Sequence, residues 1–179
     1  MNNYNSSHKL RAPRSLGEQI NIEPTIIVDT REQDPLVFSR LQSERGTLTT
    51  GDYSIKGAEH LFAIERKTIS DLINCCTAER ERFERELLRL RAYQFRRLLI
   101  VGGEEEIWAG RYRSDVRPQS VMGSLYAWQA RFDIPLVFVT NPMEAAALIE
   151  RWAHYFAREH LLAAARLTRC EPKNREDGQ

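Results

Sequence analysis

Residues 61–72 read Leu61-Phe62-Ala63-Ile64-Glu65-Arg66-Lys67-Thr68-Ile69-Ser70-Asp71-Leu72. An apolar run passes directly into three charges, and a helix start follows. The pattern predicts a buried strand over residues 61–66. A helix then runs over about 70–93, with Ser70 as its N-cap and Asp71 in its first turn. Side chains alternate faces along a strand, so Glu65 and Lys67 point one way and Arg66 the other. An acid two residues before a lysine is common on exposed strands. Here the charges follow Ala63-Ile64, which makes this a core strand.

Upstream, Thr25-Ile26-Ile27-Val28-Asp29 is a short β-branched run that ends in an acid. Asp34-Pro35 marks a turn, residues 36–45 suit a short helix, and residues 47–55 read as a strand interrupted by Gly51. Lys56-Gly57 turns the chain into the strand at 61–66. If those two strands pair, Asp52 approaches Glu65.

Downstream, Leu72, Phe83, Leu87 and Leu90 give the long helix an apolar side. Its charged middle, residues 79–86, reads as a solvated face, with Glu81 and Arg85 in the favourable i,i+4 order. Residues 98–101 form another buried strand. A helix over 118–132 carries Val121, Leu125 and Trp128 on one side, and a strand follows at 135–139. Asn141-Pro142-Met143-Glu144 caps a last helix reaching about Leu167, with Leu148, Trp152 and Tyr155 on its buried stripe. Three strands, then helices alternating with strands, imply an α/β domain: a mixed sheet covered on both faces.

The 179 residues fit one domain: a polar arm over 1–22, a folded unit over 23–167 and a polar tail over 168–179. Hydrophobic residues make up 42% of the chain, enough for a packed core. No apolar run reaches membrane-spanning length, and the N-terminus lacks a signal-peptide pattern. Cys75, Cys76 and Cys170 make no disulfide framework, which suits an intracellular setting. His8, His60, His154 and His160 lack zinc-ligand spacing. The net charge of +1 does not itself indicate nucleic-acid binding. Arginine supplies most of the positive charge; it suits phosphate contact, but codon preference is the better explanation.

Two carboxylates converging on one point repel, and each raises the other's pKa. A hard divalent cation relieves that cost, and Mg²⁺ is usually held by one or two carboxylates, waters and substrate phosphate. A lysine beside the pair can orient or help deprotonate the attacking water, or steady the developing charge. These are the components of metal-assisted phosphodiester hydrolysis.

Val28-Asp29-Thr30-Arg31-Glu32, Gly51-Asp52-Tyr53 and Glu65-Arg66-Lys67-Thr68-Ile69-Ser70-Asp71-Leu72 together resemble the nuclease domain of the XPF and archaeal Hef family. The last two match its G-D…E-R-K-x-x-x-D signature, and the resemblance covers about residues 24–165. It implies a restriction-endonuclease-like fold and a Mg²⁺- or Mn²⁺-dependent endonuclease that cuts DNA flaps and forks, usually as a homodimer. Residue by residue it implies Asp29, Asp52 and Glu65 as metal ligands and Lys67 as the group that positions water or supports the transition state. Glu32 would be a further acid, ligating directly or from behind the ligands. Arg31, Arg66 and Arg80 would contact phosphate or brace the acids, Tyr53 belongs with these supporting or DNA-contacting positions, and Asp71 would cap the next helix. Glu79 stands where the family commonly has glycine. The tandem helix-hairpin-helix module common in the family has no room here, so a separate DNA-binding or helicase partner is expected. The alternatives are a non-catalytic DNA-binding or scaffolding subunit, which the intact acid set disfavours, and a mobile-element nuclease acting on simple duplex or single-stranded DNA.

Among other features, Gly102-Gly103-Glu104 reads as an ordinary strand exit. Trp108, Arg111, Tyr112 and Arg113 suit base stacking or simple packing. The apolar stripes on the last two helices read as core or as a dimer face.

Overall fold

The structure, a computed structural model, describes residues 22–167; the arm and tail expected at the two ends lie outside the described residues, apart from Ile22. Eleven elements follow in order: β1 (Ile26–Asp29), β2 (Ser43–Gly46), β3 (Tyr53–Ile55), β4 (Phe62–Thr68), α1 (Ile69–Cys76), α2 (Arg80–Leu90), β5 (Phe95–Val101), α3 (Glu104–Trp108), α4 (Pro118–Phe132), β6 (Leu136–Val139) and α5 (Pro142–Leu167). The six strands form one sheet in the order β2-β1-β3-β4-β5-β6. β1, β3 and β4 make an antiparallel meander; β4, β5 and β6 run parallel, and β2 lies parallel to β1. This is the mixed sheet expected from the pattern.

Alternation along β4 splits the core in two. Ala63 joins Leu98 and Ile100 beneath α1, α2 and α4, while Phe62 and Ile64 face α5 and the loop after β1. No described helix is long and apolar enough to cross a membrane.

Several expected elements change. Residues 36–45 are not a helix. The Leu36 N–H donates to the Tyr53 hydroxyl, and those of Ser39, Arg40 and Leu41 all donate to Oε1 of Glu150 on α5. These side-chain acceptors replace intrahelical carbonyls, and the segment ends in β2. The strand expected over 47–55 shrinks to β3, because Leu48 N–H caps Asp29 and Gly51 adopts φ +82°.

The long helix breaks into α1 and α2 at Thr77, whose Oγ1 donates to the Ile73 carbonyl at 2.9 Å while the Glu79 N–H reaches back to the Asn74 carbonyl. The cap of α1 is Thr68 rather than Ser70: Thr68 and Asp71 form a reciprocal capping box. Glu81 and Arg85 form no ion pair; Arg82–Glu86 and Arg80–Glu84 do. The fully buried residues of α5 are Ala145, Ala146, Ile149, Glu150 and Ala153; Leu148 and Trp152 pack partly buried against the same core, whereas Tyr155 is 59% exposed. Val121, Leu125 and Trp128 are core residues and cannot form a dimer face. α3 begins at the Gly102-Gly103 exit, with the Gly103 N–H donating to Glu106.

Candidate active site

β4 leaves the core as it reaches its C-terminal end. Burial is complete from Phe62 to Ile64, Glu65 is still 7% exposed, and the next three residues are half-buried. Asp52 is held beside this end by the backbone: its N–H donates to the Ile64 carbonyl, and its carbonyl accepts from the Asp29 N–H. Its Oδ2 accepts the Arg66 N–H at 2.7 Å. Gly51 permits this approach, because a Cβ there would stand 2.9 Å from the Ile64 carbonyl oxygen.

The result is a cleft of about 200 Å³ lined by Asp29, Arg31, Thr50, Asp52, Glu65 and Lys67, and closed from α2 by Arg82, Glu86 and Arg89. Lys67 Nζ donates to Glu65 Oε1 at 2.6 Å and lies 5.5 Å from the Phe83 ring centre.

Burial, then the nearby Glu65 charge, pushes Asp52 up to about 8. Burial also pushes Glu65 up, against the pull of Lys67. Lys67 is raised because Glu65 outweighs its burial, so its ammonium stays charged. Asp29 behaves oppositely. Burial alone would raise it, but hydrogen bonds from the Arg31 side chain and from the Arg31 and Leu48 N–H groups hold it below the usual carboxylate range. Both its oxygens are engaged: Oδ1 by the Arg31 N–H and Nε, Oδ2 by Leu48 N–H and Arg31 Nη2.

The expected residues therefore separate. Asp52, Glu65 and Lys67 meet in the cleft, with Asp29 and Arg31 at its wall. Glu32 does not join them: it pairs with Arg66 at 3.2 Å outside the cleft, because Arg66 faces away from Glu65 and Lys67. Tyr53 is a fully buried core residue whose ring packs edge-on against Phe38. Asp71 caps α1. Arg80 turns from the cleft to Ser124 Oγ (2.8 Å), Glu84 and the Trp128 ring. Arg82, Glu86 and Arg89 take its place. Each precedes a buried residue, Phe83, Leu87 and Leu90, so helical spacing could have located them.

The donor set suits a hard cation. It is all oxygen, burial raises two of its carboxylates, and Glu86 Oε2 and Thr50 Oγ1 are buried with no hydrogen-bond partner. Among the described residues no three His, Cys, Asp or Glu side chains close around an ion by themselves; Mg²⁺ typically needs only one or two carboxylates, with waters filling its shell.

The ERCC4 domain model matches residues 28–151. No curated protein shows a match. XPF from Aeropyrum pernix has a similar structure, with TM-score 0.63 and 27% identity over 76% of this chain and 63% of that one. XPF from Aeropyrum pernix in complex with DNA gives 0.61 and 24% identity over 77% and 66%. The chain thus spans less than two thirds of these relatives' length. With the motif residues gathered at one end of the mixed sheet, the chain belongs to the ERCC4-domain family and has the restriction-endonuclease-like fold of an XPF nuclease domain.

Proposed function

We propose that this chain is a Mg²⁺- or Mn²⁺-dependent endodeoxyribonuclease. The observation that carries this reading is the convergence of half-buried Asp52 and buried Glu65 beside the Lys67 ammonium in one cleft. That arrangement is costly for a fold and useful for phosphodiester hydrolysis. The DNA complex of the Aeropyrum pernix relative supports DNA as the substrate.

Asp52 and Glu65 would hold the cation. When bound, it lowers the pKa of a coordinated water and polarises the scissile phosphate. Lys67, held as a charged donor by Glu65, would orient the attacking water and steady negative charge on the phosphate oxygens. Arg31 is anchored on Asp29 and remains largely exposed at the cleft wall, where it suits a flanking phosphate. Asp29 acts here by holding Arg31 and the Leu48 backbone.

Action at flaps or forks, and as a homodimer, are extensions of the same reading that rest on the family resemblance. The test is cleavage of labelled flap, fork, duplex and single-stranded DNA with Mg²⁺ or Mn²⁺, beside Asp52→Ala. Cutting by wild type alone supports the nuclease. Equal inertness of both proteins, with DNA still bound by wild type, supports a scaffolding subunit instead.

A further inference from the structure

Helix α2 places a second set of charges over the cleft. Phe83, Leu87 and Leu90 are buried and fix the rotation of the helix about its axis. That rotation brings Arg82, Glu86 and Arg89, at i, i+4 and i+7, to the cleft wall. Arg82 grips only one oxygen of Glu86: its Nη1 donates to Oε1 at 2.5 Å. The other oxygen, Oε2, is buried and has no donor. A buried carboxylate oxygen without a donor is unfavourable, and native structures rarely leave one so. On the same cleft, Thr50 is 7% exposed, and its hydroxyl is also buried without a partner.

The residues that carry these atoms, Thr50 and Glu86, line the same cleft as Asp52 and Glu65. At roughly 30 Å³ per water molecule, a cleft of about 200 Å³ has room for several. Because no three acids close around an ion among the described residues, most of a cation's shell there must be water. Waters on a divalent cation are strong donors, and an acceptor without a donor is their natural partner.

We infer that Glu86 is a positioning residue of this site, its Oε2 accepting a hydrogen bond from a water bound to the cation held at Asp52 and Glu65. The inference rests on the metal-dependent reading proposed above. Arg82 serves it by fixing the carboxylate's orientation, as residues behind a metal's ligands commonly do. Thr50 supplies a second polar contact for the same waters.

The test is Mn²⁺ binding to the whole chain, followed by electron paramagnetic resonance, for wild type, Glu86→Gln, Glu86→Ala and Asp52→Asn. Thermal melting without metal is measured alongside. Loss of a residue behind the ligands typically weakens metal binding by about 10–100-fold. Glu86→Gln, which keeps an oxygen that Arg82 can hold, should therefore lose about tenfold in Mn²⁺ affinity with its metal-free melting unchanged or raised. Glu86→Ala should lose more. A purely structural partner of Arg82 would not move Mn²⁺ affinity in the folded Gln variant. If Glu86→Gln and a folded Glu86→Ala bind Mn²⁺ within twofold of wild type while Asp52→Asn loses it, the role of Glu86 is overturned and the metal site stands. If wild type binds no Mn²⁺, or Asp52→Asn binds it equally well, the metal reading fails and the role of Glu86 fails with it.

Discussion

Lys67 Nζ and Glu65 Oε1 are 2.6 Å apart, on the same face of β4, with side chains only 15% and 9% exposed. Neither charge would be stable there alone. Lys67→Ala therefore separates two roles. Removing a donor aimed at developing charge typically costs about 10²–10³ in rate, and we expect at least that loss of DNA cleavage. Glu65 and Asp52 remain, so Mn²⁺ binding should persist. Complete loss of Mn²⁺ binding in a folded Lys67→Ala protein would show that the lysine holds the acids together rather than serving the phosphate.

Asp52 gives the site a pH signature. Its pKa is pushed up to about 8 in the fold but is about 3.9 in an unfolded chain. Between those values the folded state holds the extra proton. Metal-free stability therefore falls as pH rises from about 4 toward 8. Glu65, shifted in the same direction, steepens the fall. Asp52→Asn should flatten it, melting several degrees above wild type at pH 8 and near wild type at pH 4.5. Mn²⁺ should restore the wild type at pH 8 and leave Asp52→Asn unchanged. Calorimetry with chelator and with Mn²⁺ across this range checks both, and wild-type stability that rises over the range would contradict the assignment.

Arg89 is exposed at the cleft and forms no ion pair among the described residues, unlike Arg82, which holds Glu79 and Glu86. An unpaired arginine beside an acidic cleft fits a DNA phosphate. Arg89→Ala should weaken DNA binding about equally across sequences. It should also reduce the slope of log K against log salt by about 0.7–0.9, the contribution of one phosphate contact. An unchanged slope in fluorescence-anisotropy titrations would remove Arg89 from the DNA path.

How much of this was legible in the sequence depended on the range of the forces involved. The β4 run, the Asn141-Pro142 helix start and the 118–132 helix are local signals, and the structure keeps all three. The meeting of Asp52 with Glu65 followed from pairing two neighbouring strands. Residues 36–45 form no helix because the N–H groups of Ser39, Arg40 and Leu41 are satisfied by Glu150, more than a hundred residues away. No local pattern announces such a partner. The resemblance points to Arg80, but burial of Phe83, Leu87 and Leu90 sets the rotation of α2 and brings Arg82 to the cleft instead. The charged face of that helix looked merely solvated because its destination is a tertiary fact.

Gly51 tests whether backbone geometry, rather than side-chain chemistry alone, assembles the site. Its φ of +82° is unfavourable for residues with a side chain, and a Cβ would stand 2.9 Å from the Ile64 carbonyl oxygen. Relief requires the Gly51-Asp52 segment to move off β4, which breaks the Asp52 N–H bond to Ile64 and shifts the Asp52 carboxylate. Gly51→Ala should therefore lower stability by about 1–2 kcal/mol and weaken Mn²⁺ binding together. Thr68→Ala is the control. It removes one half of the α1 capping box, at about 1 kcal/mol, and lowers the melting temperature by roughly 2–4 °C. It leaves Asp52 in place and should leave Mn²⁺ affinity unchanged. If both variants lose stability but bind Mn²⁺ alike, the Gly51 turn supports only the fold; if Gly51→Ala alone loses Mn²⁺, the turn is what carries Asp52 to Glu65.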